Sequence, residues 1–427
     1  MRTLTILLLL ALLVPSVAAA DWSPARALSP ADRETYVAGL AVDGRDRPAV
    51  LLETRRAGGW SLGLRTSDGR GGMRAPVEIA ATRNGVEGAG LFAGRGSDLV
   101  AGWLEIVNGS RRPVVATGPR LADRQVLAPG PRSTQVMRMA ADRRGDAIVA
   151  FWRYDSNVYS IYAAYRPAGG RLGAPQLVAT GSVSNPAVAI DQDGAAAVAW
   201  TDRDGGHVAE RRAGATGFDP AVAVPDARRP ASEPGVAIEG GRIVVSWVVG
   251  AISEQRVVLA SERPSVTATF EAPAAVSAPT KVPHWINPRV SLVNGQALVA
   301  WVQGVPHTTA HDRAALAIRS GDDAWRLPIV RSVRAPAHVY YVGLLGAAPG
   351  RPPILAMTTS RAYHFGLATA TLRDDATLGP SRPLATGGDA GFAPWLAQGR
   401  HRAWLATERT VGSGPHAHRQ ALLFRST

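Results

Sequence analysis

Charged and aromatic side chains come directly after two tryptophans that each end an apolar segment of the chain. This predicted binding set comprises Arg153, Tyr154, Asp155, Asp202 and Arg203. An arginine fork binds a carboxylate through two parallel hydrogen bonds, and an aromatic ring packs against the face of a sugar or another ring. We therefore predict that these residues help to bind an anionic ligand.

The same segments hold carboxylates that could act as a general acid and base. The candidates are Asp155 and Asp202, with Glu53 and Glu105 in corresponding places, and Tyr154 could act as a nucleophile. Glycoside hydrolysis uses such a pair of carboxyl groups. The sequence contains no G-x-S-x-G turn, no H-E-x-x-H, no phosphate-binding loop and no cysteine. We expect a non-catalytic protein, with a glycan-active hydrolase or lyase as the alternative.

Later segments add His284, Trp285 and Tyr340 to the predicted binding set. His307 and His311 lie close together in sequence and carry nitrogen atoms that could bind zinc or copper. No closed set of four ligands accompanies them. We therefore expect neither a metal nor another cofactor.

Net charge gives a second indication of the ligand. The chain carries 47 basic and 34 acidic residues, a formal charge of +13, and Lys281 is its only lysine. Nucleic-acid binders usually cluster basic residues with aromatic residues between them. Here the arginines are dispersed, and we expect most of them to be solvated. We predict an anionic glycan or a protein as partner, and no nucleic acid.

A repeat of about 50 residues positions all these side chains. Each unit has an apolar strand, a turn rich in aspartate and glycine, and a second apolar strand that ends at an anchor residue, as in 188–200 (VAIDQDGAAAVAW). The eight anchors are Leu52, Trp103, Trp152, Trp200, Trp247, Trp301, Met357 and Trp404. A polar-alternating third strand and a fourth strand that begins at proline complete a unit, as expected for an exposed outer edge.

These units predict an all-β fold, a β-propeller of four-stranded blades. Eight blades are expected, or seven if 40–52 or 344–357 does not form one. Residues 21–30 resemble a fourth strand, and the chain ends on a third strand, so the N-terminal strand should complete the last blade. Second-to-third hairpins such as 153–157 share one end of the ring, the loop face, with the fourth-to-first connections. First-to-second turns such as 191–194 lie on the opposite turn face. We predict function on the loop face.

The N-terminus resembles an export signal. Arg2 precedes an apolar run over 6–14, and three alanines end the segment at Ala20. We therefore expect a signal peptide over 1–20 and one propeller domain over 21–427. The protein should be exported to the periplasm or the extracellular space. It should be a monomer without stable membrane insertion.

Two third-to-fourth hairpins resemble the Asp-box of sialidase-like (BNR-repeat) propellers, which reads Ser/Thr-x-Asp-x-Gly-x-Thr-Trp. The segments 65–72 (RTSDGRGG) and 319–325 (RSGDDAW) look like degenerate boxes. The resemblance implies a secreted bacterial propeller that binds carbohydrate. Sialidases of this family use three arginines, a tyrosine nucleophile with a glutamate partner, and an aspartate acid/base. Their early Arg-Ile-Pro segment is absent here. We therefore predict a ligand-binding or protein-interaction scaffold, with a sialidase-like hydrolase or lyase acting on an anionic glycan as the alternative.

Overall fold

The computed structural model describes residues 22–128, 134–225, 231–251, 255–279, 286–304, 313–321, 323–331, 338–346, 352–361, 364–373, 377–384, 386–391, 394–412 and 417–426. The expected signal at 1–20 lies outside this part of the chain. The described residues contain no helix that is long and apolar enough to cross a membrane.

The described strands form eight antiparallel sheets of four strands each. Blades one to four comprise β2 (Thr35–Val42), β3 (Pro48–Arg56), β4 (Gly59–Thr66) and β5 (Val77–Thr82); β6 (Val86–Ala93), β7 (Leu99–Val107), β8 (Ser110–Thr117) and β9 (Asp123–Val126); β10 (Thr134–Ala141), β11 (Ala147–Asp155), β12 (Val158–Arg166) and β13 (Gln176–Gly181); and β14 (Ala187–Ile190), β15 (Ala196–Asp202), β16 (Gly205–Arg211) and β17 (Val222–Ala223).

Blades five to seven continue the same order, and blade eight ends with the strand that begins the described chain. These blades comprise β18 (Ala231–Glu239), β19 (Arg242–Val249), β20 (Val257–Arg263) and β21 (Ala274–Ala275); β22 (Arg289–Val293), β23 (Gln296–Gln303), β24 (Arg313–Ser320) and β25 (Arg326–Arg331); β26 (His338–Leu345), β27 (Ile354–Arg361), β28 (His364–Thr371) and β29 (Arg382–Leu384); and β30 (Trp395–Gln398), β31 (Ala403–Val411), β32 (His418–Arg425) and β1 (Arg26–Ala27).

This arrangement confirms the eight-bladed propeller and excludes seven blades. The first strands of neighbouring blades contact one another around a complete ring, so they are the innermost strands. Both segments in question, 40–52 and 344–357, form first and second strands of complete blades. Apolar clusters lie between adjacent blades, and the side chains of Trp103, Trp247 and Trp301 are almost fully buried in them.

The N-terminal strand closes the ring as predicted. Arg26 lies opposite Leu423 in an antiparallel pair between β1 and β32. The N–H of Ser23 donates to the carbonyl of Arg425, and that of Leu28 donates to the carbonyl of Ala421, both at 2.8 Å. Blade eight is therefore built from both ends of the described chain, and its fourth strand completes the ring of four-stranded blades.

Aspartate forms the first-to-second turns of the turn face. The carboxylates of Asp43, Asp142 and Asp191 each accept backbone N–H groups of their own turn at 2.9–3.0 Å. Gly145 and Gly194 follow with φ of 98° and 81°, a region that favours glycine. These residues are structural, as their spacing predicts.

Several of the described arginines are buried, although most arginines are expected to be solvated from their dispersed positions. Four of them stand at or near the end of a third strand: Arg166, Arg211, Arg263 and Arg319. Arg166 reaches the preceding blade, where it donates to Asp98 at 3.0 Å, and it also donates to the carbonyl of Gly145, in its own blade, at 2.6 Å. Such arginines tie blades together at the turn face, so part of the positive charge serves the fold.

Candidate functional site

The predicted binding set lies on the loop face, in hairpins of two neighbouring blades. Arg153, Tyr154 and Asp155 end β11 and lead into the hairpin to β12. Asp202 ends β15, and Arg203 lies in the hairpin to β16. The structure thus places both groups at the end of the ring that the repeat predicts.

Three aromatic rings lie against one another beside the hairpin of blade three, two of them stacked and the third tilted by 40°. The rings of Trp152 and Tyr159 are nearly parallel, with centroids 4.4 Å apart, and Tyr154 lies 4.7 Å from Tyr159. The Tyr154 side chain is 39% exposed and its hydroxyl donates to Asn157 at 2.6 Å. Asp155 accepts a hydrogen bond from Ser156 at 3.2 Å. The stack offers an aromatic surface with polar groups at its rim.

The hairpin of blade four uses its carboxylate locally. Asp202 accepts the N–H groups of Asp204 at 2.6 Å and Gly205 at 3.1 Å, and it lies 3.0 Å from His207. Arg203 donates to Ser182 at 3.0 Å. Asp202 therefore shapes its own turn, and its role toward a ligand or as an acid stays a prediction.

The remaining predicted residues cannot be placed in the site. His284, Trp285, His307 and His311 lie outside the described residues, and Tyr340 belongs to β26 but its side chain is not among those described. Within the described ranges, no group of three or more potential metal ligands occurs.

Loop-face carboxylates at the ends of second strands bind to the next blade. Glu53 accepts the N–H of Val86 at 2.8 Å, and Glu408 accepts the N–H of Val37 at 2.7 Å. Burial raises the pKa of both carboxyls. These two glutamates occupy equivalent positions and link blade one to blade two and blade eight to blade one.

Glu105 is held differently, by two arginines. Arg112 and Arg124 each donate to one of its carboxylate oxygens at 2.6 Å. Burial raises the pKa of Glu105, but the two arginines outweigh that effect and the net shift is downward. A carboxylate held ionised in this way is a poor general acid.

A tyrosine–glutamate pair at the start of blade one was not predicted. The hydroxyl of Tyr36 donates to Glu34 at 2.8 Å, and Arg55 donates to the other oxygen of Glu34 at 3.0 Å. Burial, together with the bond to Glu34, raises the pKa of Tyr36 to about 12. The phenol is thus protonated at neutral pH and acts as a hydrogen-bond donor.

A cavity of about 360 Å³ opens on the turn face, where blade eight meets blade one. Its walls come from the first-to-second turns of both blades, the third-to-fourth hairpin of blade one, and the paired ends of β1 and β32. Only closure of the ring brings these segments together, because they lie at opposite ends of the chain.

Five arginines line this cavity: Arg26, Arg45, Arg47, Arg402 and Arg425. Arg47 pairs with Asp43 at 2.7 Å, and Arg26 donates to the carbonyl of Gly71. The side chains of Arg45, Arg402 and Arg425 have no carboxylate partner within the described part of the chain. Among the described residues, the five arginines therefore outnumber the nearby carboxylates of Asp43 and Asp46, and the cavity wall has a net positive charge.

Asp46 is the only carboxylate among the described residues that line the cavity. Both of its oxygens accept the N–H of His401, each at 2.9 Å, so blade eight fixes its orientation. Trp404 adds a partly exposed aromatic ring to the wall. The arrangement combines arginine forks with an apolar surface, which suits a ligand that carries both carboxylates and ring faces.

The hairpin with the degenerate box forms one wall of the cavity. Asp68 accepts the N–H groups of Arg70 at 2.8 Å and Gly72 at 2.7 Å, and these bonds lower its pKa. The aspartate therefore shapes the hairpin that lies over the cavity.

Sequence reasoning missed this cavity because it treated the first-to-second turns as purely structural. One signal was present in the sequence: Arg45 and Arg402 stand in equivalent turns of the two blades that closure makes neighbours.

The comparisons with known proteins found similar folds but no matching family model or sequence. No protein-family model matches the chain, and no curated protein matches it in sequence. The WD40 domain of SCAP from fission yeast is similar, with a TM-score of 0.51 and 7% identity over 95% of this chain and 98% of that chain. The polysaccharide lyase Uly1 gives a TM-score of 0.49 and 9% identity over 89% of this chain and 88% of that chain.

A third similar structure is the α-L-arabinofuranosidase Arb93A from Fusarium graminearum, with a TM-score of 0.37 and 9% identity over 70% of this chain and 96% of that chain. The sialidase-type resemblance thus has no support from a family model or a sequence match. At 7% identity, the similarity to the WD40 domain concerns the fold alone.

Proposed function

We propose that this protein is a non-catalytic binding propeller that takes an anionic glycan into the arginine-lined cavity between blades eight and one. The observation that carries the proposal is the set of three arginines, Arg45, Arg402 and Arg425, around a cavity of about 360 Å³ without carboxylate partners in the described part of the chain. The proposal keeps the ligand class that the sequence predicts but moves the site to the turn face.

Size and chemistry support a small acidic saccharide as the ligand. Cavities that hold small ligands measure roughly 300–1,000 Å³. Guanidinium forks bind carboxylates in two parallel hydrogen bonds, and their positive charge discriminates against neutral sugars. Trp404 can pack against a ring face.

The single carboxylate in the wall favours binding over turnover. Glycoside hydrolysis uses two carboxyl groups, one of which must exchange a proton. Asp46 has no second carboxylate beside it in the described cavity wall, and both its oxygens already accept a hydrogen bond.

Calorimetric titration with trigalacturonate tests this proposal. Binding should be lost with the fully methyl-esterified trisaccharide, which has the same rings and no charge. Arg45→Gln and Arg402→Gln should each weaken binding about ten-fold or more, the effect of losing one charge-assisted hydrogen bond. Arg143→Gln is the matched control, because Arg143 is exposed in the equivalent turn of blade three. If Arg45→Gln, Arg402→Gln and Arg143→Gln all bind trigalacturonate with the same affinity, the proposed site is wrong.

A second candidate function is a sialidase-like hydrolase or lyase acting at the loop face. The pair Tyr36 and Glu34, with Arg55 on the same carboxylate, favours it, because a tyrosine with a glutamate partner could act as a nucleophile. Turnover of sialosides or uronic-acid glycans that disappears in Tyr36→Phe or Asp155→Ala would establish this candidate over the first. No turnover on these substrates would leave binding as the function.

The proposal also includes export. If 1–20 is a signal peptide, the mature protein purified from the periplasm or the medium begins at Asp21. N-terminal sequencing of the secreted protein checks this, and an intact Met1 would contradict it.

A further inference from the structure

Part of the wall of the cavity between blades eight and one is the segment that closes the ring. We call residues 22–28 the closing segment, since they contain β1 and complete blade eight. Ser23, Pro24 and Arg26 of this segment line the cavity, and the other lining residues belong to blade one or to the remainder of blade eight. A ligand in the cavity therefore contacts the closing segment and both of the blades that it holds together.

Short stretches of backbone pairing hold the closing segment. Its strand β1 is two residues long, and both Arg26 and Ala27 are exposed. These two residues pair with β32, and Trp22 adds a bridge to Ser426. Outer strands with few backbone hydrogen bonds open locally at a lower free energy than inner strands. We therefore expect the closing segment to detach more readily than the rest of blade eight, with the buried side chain of Leu28 as its apolar anchor.

Like charges surround the cavity from both sides of this closure. Arg26 lies on the closing segment and Arg425 on the strand that pairs with it, while Arg45 belongs to a turn of blade one. The guanidinium of Arg26 donates to the carbonyl of Gly71 in the third-to-fourth hairpin of blade one, so this charge reaches across the boundary between the two blades. Positive charges around one cavity repel one another, and an anion bound among them offsets that repulsion. The closed ring thus gains more from a bound anion than a ring whose closing segment has detached.

We infer that ligand binding and ring closure are coupled through Arg26: an anionic saccharide in the cavity holds the closing segment in blade eight. This inference rests on the proposed function, and it adds that the N-terminal segment responds to the ligand. When the segment detaches, the cavity loses the contacts of Ser23, Pro24 and Arg26, so the open form binds the saccharide more weakly. A ligand that binds the closed form more tightly shifts the protein toward that form.

Hydrogen exchange of the full chain, measured by mass spectrometry with and without saturating trigalacturonate, tests the inference. Exchange within 22–28 should slow at least about ten-fold on binding, the effect of one charge-assisted hydrogen bond that only the closed form makes. Exchange within β13 should not change, because this outer strand of blade three does not line the cavity. Arg26→Gln should reduce the slowing within 22–28 to less than about three-fold, whereas Arg143→Gln should retain it. Each variant is compared with itself in the absence of the ligand, so a change in its basal exchange does not affect the result.

A parallel calorimetric titration separates this inference from the proposed function. If trigalacturonate binds but exchange within 22–28 is unchanged, the coupling is wrong and the binding site stands. If trigalacturonate does not bind, both are wrong. Equal slowing in 22–28 and β13 would show that the ligand stabilises the whole ring and not its closure, and would overturn the inference. Full slowing in Arg26→Gln would overturn it as well, because the coupling would then not depend on Arg26.

Discussion

Removal of one buried side chain at the ring closure should lower the stability of the whole propeller. Leu28 follows β1, is 2% exposed, and packs in the apolar cluster between blades eight and one. Its neighbours there include Val37, Leu52 and Leu423. Leu28→Ala removes this packing and leaves a cavity in an otherwise dense cluster, since the surrounding blades hold their positions.

The expected size of the effect follows from its burial. Leucine-to-alanine changes at fully buried sites cost about 2–5 kcal/mol, so about 3 kcal/mol is expected here. For a chain of about 400 residues, the unfolding entropy is roughly 0.8 kcal/mol/K, which converts this loss into a fall in Tm of about 4 °C. Differential scanning calorimetry resolves such a shift.

Leu177→Ala is the matched control for this prediction. Leu177 lies in the fourth strand of blade three, β13, much as Leu28 directly follows the fourth strand of blade eight, but Leu177 is 50% exposed. The same atoms are removed, and the expected change is within about 0.5 kcal/mol. If both variants melt at the same temperature, the N-terminal strand does not pack into blade eight as described, and the reasoning about closure is refuted.

Three further predictions concern single buried groups. Burial raises the pKa of folded Glu408 above its ordinary value of 4.5, so the stability that the protonated carboxyl contributes is lost as the pH rises above about 4.5. Glu408→Gln keeps an acceptor for the N–H of Val37 and cannot ionise. The variant should therefore melt at a higher temperature than wild type at pH 7, and the difference should close toward pH 4. Parallel melting curves across this range would contradict it. Arg166→Gln leaves Asp98 without its partner and should cost about 2–3 kcal/mol in denaturant titrations, whereas no loss would show that the contact is dispensable. Trp301→Ala, at a fully buried anchor, should cost about 3–5 kcal/mol in the same assay, and a cost below about 1 kcal/mol would contradict its place in the core.

The fold could be predicted because its signals are local and repeated. Anchors such as Trp247 lie within an apolar second strand that packs between two blades, although Trp404 stands at the beginning of β31 and not at its end. Aspartate and glycine mark the turns at regular places, and the unmatched fourth strand at 21–30 predicts closure. The structure shortens that strand to Arg26–Ala27, with a bridge at Trp22, because an outer strand needs few ladder bonds to hold it.

The candidate site was less accessible to sequence reasoning because it depends on side-chain partners. Arg45 and Arg166 are both arginines at the turn face, but Arg45 lines a cavity and has no carboxylate partner among the residues that the structure describes, whereas Arg166 is buried against Asp98. The periodicity of the sequence predicts where each strand lies and which end of the ring a turn belongs to. It does not predict which charged side chains contact each other. The cavity also joins residues 26 and 45 to 402 and 425, and only the closed ring makes them neighbours.

A crystal structure of the complex with trigalacturonate tests the central claim most directly. The proposal predicts a saccharide in the cavity between blades eight and one, with a carboxylate bound by Arg402 and at least one of Arg45 and Arg425. A trisaccharide bound instead on the loop face, against the stack of Trp152, Tyr159 and Tyr154, would contradict it.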